Sequence, residues 1–139
     1  MQKGQISIDL LFTIVAAVLI VVSFNGLVNS TYMSQDRIST KQQLDLENQK
    51  LTNLITQTQI IDDYNYQIIT TLEKINYLDQ NKNQVKEYPI ASVSNNILKL
   101  SINNGTEVIE SQKPFYKNAN TTIKIGKDEN AGTIVILHE

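Results

Sequence analysis

The residue whose charge most needs a chemical explanation is Asp9, which lies directly ahead of a long uncharged stretch of the 139-residue chain. From Leu10 to Gln35 no side chain is charged, and the most apolar part covers residues 10–28. A helix needs about 20 largely apolar residues to cross a membrane, so this segment is long enough. A carboxylate at its edge is costly unless a cation pairs with it. The position of Asp9 therefore indicates an ion pair.

The order of features before this segment indicates a source for that cation. A cut after the small residue Gly4 would keep the apolar segment on the mature chain and create an α-amino group on Gln5. Asp9 lies four residues further on, one helical turn away, and could pair with its own amine or with that of a neighbouring copy. Acids are also favoured at helix starts, so a merely solvated Asp9 is the alternative. Cyclisation of Gln5 to pyroglutamate would remove the amine.

The stretch KGQISIDLLF, residues 3–12, resembles the class III (prepilin-type) signal of archaeal type IV pilin-like proteins. In that family a basic residue and Gly precede a pattern of roughly Gln-x-Ser-x-Glu, with Leu further on. Asp9 stands in place of the usual Glu, and Thr13 stands at the later Leu position. The matching positions are those of Lys3, Gly4, Gln5, Ser7 and Asp9.

The resemblance implies a major or minor pilin, a structural subunit of a cell-surface filament. A membrane prepilin peptidase would remove a leader of residues 1–4 by cutting between Gly4 and Gln5. The segment 10–28 would sit in the membrane before assembly and then in the filament core, against copies of itself or other pilins. The C-terminal head would be extracellular and available for adhesion. Archaeal motility-filament subunits share this plan but differ in their processing motif.

Two other functions stay open. An uncleaved single-span membrane protein would display its head to a binding partner. A secreted domain would be cut after the apolar segment, although residues 21–29, VVSFNGLVN, lack the small-x-small pair of an ordinary signal peptide.

The chain pattern predicts an α+β fold, with an N-terminal helix over residues 5–61 and a small antiparallel β head over 62–139. No proline occurs before Pro89, and glycine with asparagine at 25–26 is expected to loosen the helix. The outer half is expected to bury one stripe against the head, with Leu46 off it. The heptads are too few and irregular for a coiled coil. The stripe consists of Leu44, Leu51, Ile55 and Thr58.

Alternation and turn signals predict the strands of the head. Residues 64–72 alternate, and residues 79–84 form a turn cluster. Residues 121–125 and 133–137 read as a hairpin with a long loop, and the second of these strands is apolar on both faces, which predicts a central position. Pro89 and Pro114 suit loop or edge positions.

Another hairpin is predicted around Asn104-Gly105, a type I′ turn signal. A two-residue turn there would place Leu100 opposite Ile109. It would also place Lys99 opposite Glu110, on the other face of the sheet.

Three Asn-x-Ser/Thr sequons could accept N-linked glycans outside the membrane, at Asn29, Asn104 and Asn120. Asn104 is the best placed, because a hairpin tip is expected to be exposed. Asn29 would lie close to the helix bundle of a filament.

The sequence contains no catalytic constellation, phosphate loop or metal-ligand spacing, so we expect neither an enzyme nor a cofactor. The single histidine, His138, is predicted to be a solvated surface residue, and the acids of residues 128–132 to be a solvated loop. With no cysteine there are no disulfides. A net charge of −2 does not fit a nucleic-acid binder.

Overall fold

In the residues that the structure describes, one long helix is followed by a set of short antiparallel strands, which confirms the predicted α+β fold. The computed structural model describes residues 2–59, 65–126 and 132–138, with side chains from residue 8 onward. Helix α1 (Gln2–Thr58) is about 85 Å long at 1.5 Å per residue. The chain divides into two compact units, residues 1–35 and residues 36–139. The predicted boundary between residues 61 and 62 lies outside the described residues.

The strands of the described region form three small antiparallel sheets, in the orders β1-β8-β7, β2-β3 and β4-β5-β6. The predicted hairpin of β7 and β8 is confirmed, and β8 is central as predicted, because it pairs with β1 on one edge and with β7 on the other. The strands are β1 (Tyr66–Thr71), β2 (Ile75–Leu78), β3 (Gln84–Glu87), β4 (Ile90–Ser94), β5 (Ile97–Asn103), β6 (Val108–Pro114), β7 (Thr121–Ile125) and β8 (Thr133–His138).

The outer half of α1 supplies part of the core of the head, as its stripe predicts. Leu44, Leu51 and Ile55 are fully buried, whereas Leu46 keeps 69% of its surface exposed. Burying each large aliphatic side chain contributes about 1.5–3 kcal/mol. The other buried apolar side chains are Leu72, Ile75, Tyr77, Leu98, Leu100, Ile102, Ile109, Phe115, Ile134 and Ile136.

A buried polar network also joins α1 to the sheet of β4, β5 and β6. The Asn48 amide donates to the carbonyl oxygens of Leu98 at 3.1 Å and Ser111 at 3.0 Å. The Ser111 hydroxyl donates to the Asp45 carboxylate at 2.6 Å. Burial opposes the ionisation of Asp45, but the hydrogen bonds from Ser111 and Lys41 outweigh it and lower the Asp45 pKa. Each of these polar groups therefore fixes the rotation of the helix against the sheet.

Side chains of α1 also cover the edge of β2 that does not pair with β3. The Gln43 amide both accepts from the Asn76 N–H and donates to the Asn76 carbonyl oxygen, each at 3.0 Å. Asp36 accepts from the Leu78 N–H at 3.1 Å. The Glu47 carboxylate accepts at 3.0 Å from the backbone N–H of Glu73, two residues ahead of β2. A two-stranded sheet is marginal alone, so these bonds replace a third strand.

The predicted register of the β5–β6 hairpin is wrong by two residues. Leu100 lies opposite Ser111, and Lys99 lies opposite Gln112. A shift of two keeps every side chain on its predicted face, because strand side chains alternate with a period of two. The expected ion pair of Lys99 with Glu110 is therefore still formed, diagonally across the strands.

The loop around Asn104 explains this shift. Four residues, not two, separate Asn103 from its partner Val108. The Asn104 side-chain oxygen accepts from the N–H groups of Thr106 and Glu107, both at 2.9 Å. This side-chain cap stabilises a longer loop than the type I′ turn requires.

The two-residue turn with the type I′ conformation occurs instead between β4 and β5, at Asn95 and Asn96. Their φ angles are 51° and 60°, and Ser94 pairs directly with Ile97. Asparagine tolerates the left-handed region better than most residues, which permits this turn without glycine. The signal was present in the sequence as Asn-Asn between two alternating stretches.

The Asn48 network leads to a stability prediction. The variant Asn48→Ala leaves the Leu98 and Ser111 carbonyl oxygens without this donor in a buried site. We expect the free energy of unfolding to fall by about 1–3 kcal/mol. Denaturation of the full chain in detergent measures it. The control Asn53→Ala, on the exposed face of the same helix, should change stability by less than about 0.5 kcal/mol. Equal effects of the two variants would contradict the role of the network.

Candidate functional site

The first candidate site is the apolar part of α1. Every side chain from Ile8 to Val28 is exposed, and Phe12 and Phe24 keep 69% and 66% of their surfaces accessible. The helix also runs unbroken through residues 25–26, so the expected loosening there is absent. A helix that is apolar on all sides requires a cover of lipid or protein. By length and composition, this N-terminal helix is able to cross a membrane.

The hydroxyl groups of this segment are satisfied within the helix. In lipid or in a protein core, an unpaired hydroxyl donor would be costly. Thr13, which departs from the leucine position of the signal pattern, bonds to the preceding turn, as Ser and Thr in helices commonly do. Within the segment, the hydroxyls of Thr13 and Ser23 donate at 2.8 Å to the carbonyl oxygen four residues earlier, and Thr31, just beyond it, does the same at 2.9 Å.

The predicted processing motif lies at the start of α1. The backbone is helical from Gln2, so the bond between Gly4 and Gln5 lies within the helix. The side chains of Lys3, Gln5 and Ser7 lie outside the described residues. Asp9 is exposed, and its carbonyl oxygen accepts the bond from Thr13. The pairing of the Asp9 carboxylate with the amine of Gln5 stays a prediction.

The expectation that Asn104 is exposed at a hairpin tip is wrong. Only 6% of its surface is accessible, because its side-chain oxygen caps the β5–β6 loop from inside. A glycan on the Asn104 amide would have to displace this cap. A hairpin tip in the sequence is thus not sufficient for exposure when the tip residue caps its own loop.

The other two sequons have accessible asparagines. Asn120 is exposed just ahead of β7, and Thr122, the hydroxyl residue of its sequon, is exposed too. Asn29 is exposed on α1, where the hydroxyl residue of its sequon, Thr31, is bonded to the Leu27 carbonyl oxygen. Asn120 is therefore the better acceptor of the two, because both of its sequon side chains are accessible outside a helix.

The prediction of a solvated His138 is also wrong. Only 3% of His138 is exposed, and its ring stacks on Tyr66 with centroids 5.1 Å apart and an interplanar angle of 7°. Its Nδ1 lies 3.2 Å from the Thr121 hydroxyl. Because β8 is central, its last residue lies between β1 and β7, although it is next to the end of the chain.

The Asp79 carboxylate stabilises a turn of the head. Asp79 accepts at 2.8 Å from the N–H groups of Asn81 and Asn83 within the predicted 79–84 turn. The bond from the Asn83 backbone is the main cause of the lowered Asp79 pKa.

Among residues 8–59, 65–126 and 132–138, no three His, Cys, Asp or Glu side chains group closely enough to hold a metal ion. Most of the acidic loop at 128–132 lies outside these residues.

Comparison with known proteins does not identify a family for this chain. No protein-family model, curated protein or solved structure matches the chain. The resemblance to pilin-like proteins therefore stays a prediction from the N-terminal residues alone.

The sequons lead to a second prediction. In the native host, Asn120→Gln should remove one glycan mass from the protein, and Thr122→Ala should do the same by destroying the sequon. Thr106→Ala destroys the sequon of Asn104 while leaving its loop cap intact, and it should leave the mass of the attached glycans unchanged. Intact mass spectrometry measures all three. A glycan lost with Thr106→Ala and retained with Asn120→Gln would contradict the assignment.

Proposed function

We propose that the chain is a pilin-like structural subunit of a type IV pilus-like surface filament of the archaeal kind. The leader of residues 1–4 is removed by a prepilin peptidase, and the apolar part of α1 holds the subunit in the membrane until assembly. This part then moves into the filament core, while the head faces outward for adhesion.

The observation that carries the proposal is the exposed apolar segment of α1. About 20 residues of helix, from Ile8 to Val28, offer apolar surface in every direction. A plain membrane anchor would satisfy that surface as well, because lipid tails also cover apolar side chains. The distinction comes from the N-terminal residues, where Gly4, Gln5 and Asp9 match a processing site that retains the segment.

The acid explains why a filament is favoured over a plain anchor. In a bundle of apolar helices, the new amine of Gln5 would be buried at low dielectric and would require an acceptor. Asp9, one turn away, supplies the acceptor within the same subunit or in its neighbour. In an uncleaved anchor, that amine does not exist and Asp9 has no such task.

Processing gives the third prediction. Gly4→Leu should abolish the cleavage, because a peptidase that needs a small residue before the cut cannot accept a branched side chain. Gly26→Leu is the matched control within the same helix, since a side chain at Gly26 would meet no atom within 4 Å. N-terminal sequencing is the measurement, with Gln5 as the expected first residue of the wild type.

Other start positions discriminate the alternatives. A wild-type chain that begins at Met1 supports the uncleaved single-span binding protein. A start beyond Val22 supports a secreted domain, and normal processing of Gly4→Leu would count against the site itself.

Assembly gives the fourth prediction. Asp9→Asn should leave processing in place but reduce the number of filaments, because the buried amine loses its charged partner. Asp9→Glu, which keeps the charge, is the control and should assemble. Electron microscopy of cells provides the count, with N-terminal sequencing to verify cleavage. Normal filaments from a cleaved Asp9→Asn chain would rule out the pairing.

A further inference from the structure

The sheet of β4, β5 and β6 has a polar outer face. The alternate residues of β5 that face the core are buried, so Ile97 and Lys99 lie on the opposite, outer face. Across this face Lys99 pairs with Ser92 of β4 on one side and with Gln112 of β6 on the other. Both of these neighbours are exposed, so this row of side chains is accessible to a ligand.

A cavity of about 180 Å³ lies on the outer face, beside the turn between β4 and β5. Pockets for drug-sized ligands have volumes of about 300–1,000 Å³, so this cavity fits only a small ligand, such as a single substituted ring. We call it the hairpin cavity; its lining residues are Ser92, Ser94, Asn95, Ile97, Lys99 and Gln112.

Three polar groups of the hairpin cavity are available to a ligand. The hydroxyls of Ser92 and Ser94 and the side-chain amide of Asn95 form no side-chain hydrogen bond with the residues that the structure describes. A serine hydroxyl and an asparagine amide can each both donate and accept. The hydroxyl groups of a ligand have the same two capacities, so a polyhydroxylated ligand matches this lining.

The charge of Lys99 is already neutralised at the hairpin cavity. The Lys99 ammonium pairs with the Glu110 carboxylate, which also accepts from the Gln112 amide at 2.7 Å. An anionic ligand would be repelled by Glu110 and would compete with it for Lys99. A hard metal ion needs several oxygen ligands, whereas the Glu110 carboxylate is already engaged by two side chains. The cavity therefore favours an uncharged ligand.

Ile97 adds an apolar surface to the lining, with 39% of its own surface exposed. A wholly apolar ligand would cover Ile97 but would leave the serine hydroxyls and the Asn95 amide without partners, which is unfavourable. A sugar ring carries hydroxyl groups around its edge and C–H groups on its faces. It can therefore satisfy both kinds of lining at once.

We propose that the hairpin cavity binds one neutral sugar residue. The serine hydroxyls and the Asn95 amide form hydrogen bonds with the sugar hydroxyls, and Ile97 contacts the C–H face of the ring. The site gives the head a ligand class. Adhesion through this site rests on the proposed function, whereas sugar binding itself depends only on the head.

Titration with sugars tests the hairpin cavity. The full chain is produced in a host that adds no N-linked glycans, and it is kept in a detergent without a sugar headgroup. The probes are the methyl glycosides of glucose, galactose and mannose, and NMR chemical shifts of the cavity residues report binding. We expect at least one probe to bind with a Kd of about 1–10 mM, because a small ligand in a shallow site makes few contacts.

Two variants locate the binding in the hairpin cavity. Ser92→Leu should lower the affinity for the bound probe at least about tenfold, because it removes a hydroxyl and fills the cavity. Thr71→Leu is the control, since it adds the same side chain at an exposed strand position outside the cavity, and it should leave the affinity unchanged. The NMR spectrum of each variant verifies its fold.

The second variant, Asn95→Gly, removes the amide without straining the turn. Asn95 has a φ of 51°, in the left-handed region that glycine adopts freely. Its affinity for the probe should fall about 3- to 10-fold, as expected for one lost hydrogen bond.

Each contrary outcome overturns the sugar site. Unchanged shifts of the cavity residues with all three probes would do so, and so would equal affinities of Ser92→Leu and Thr71→Leu. Tenfold tighter binding of methyl glucuronide than of methyl glucoside would show that the cavity selects an anion instead. These results would leave the proposed function intact, because it rests on the apolar segment and the N-terminal residues. A mature chain that begins at Met1 would remove the filament but not the sugar site.

Discussion

The packing of the outer half of α1 against the strands is the interaction on which the rest of the structure depends. The strands of the described residues form three sheets of two or three strands, and none of these sheets is large enough to bury its own apolar face. Leu44, Leu51 and Ile55 fill the space that the sheets leave. Asp36 and Gln43 complete the open edge of β2 with side-chain bonds. Without the helix, the head would lack both part of its core and one of its edges.

This dependence explains how one helix carries two kinds of surface. The outer half can be polar, because its buried stripe, the Asn48 network and its ion pairs hold it to the head. The apolar part of α1, residues 8–28, needs no polar contacts of this kind, so its side chains can be apolar on all sides. Its hydroxyls bond within the helix, so it can enter lipid or a bundle of helices without unsatisfied donors. The proposed function uses this division, since α1 supplies both the apolar segment and part of the core of the head.

The predictions that the structure contradicts have two causes. The β5–β6 register and the burial of Asn104 depend on a side chain that caps its own loop, whereas the burial of His138 depends on contacts with residues distant in the chain. Asn-Gly is a frequent two-residue turn, but here the Asn104 side chain accepts two backbone hydrogen bonds within a four-residue loop. His138 is last in its strand, yet the strand is central, so its neighbours cover it.

The sequence by itself determined the long helix, its apolar segment, the strands β1, β5, β6, β7 and β8, and the faces of these strands. These depend on periodicity, which is a local property: the stripe of Leu44, Leu51 and Ile55 and the alternation of β1 follow from spacing alone. Only the tertiary structure decided the strand order, the register and the partners of Asn48 and Gln43. A shift of two residues keeps every strand face, so the pattern cannot distinguish one register from the next. Between β5 and β6, that choice depends on the Asn104 side chain, which caps a four-residue loop.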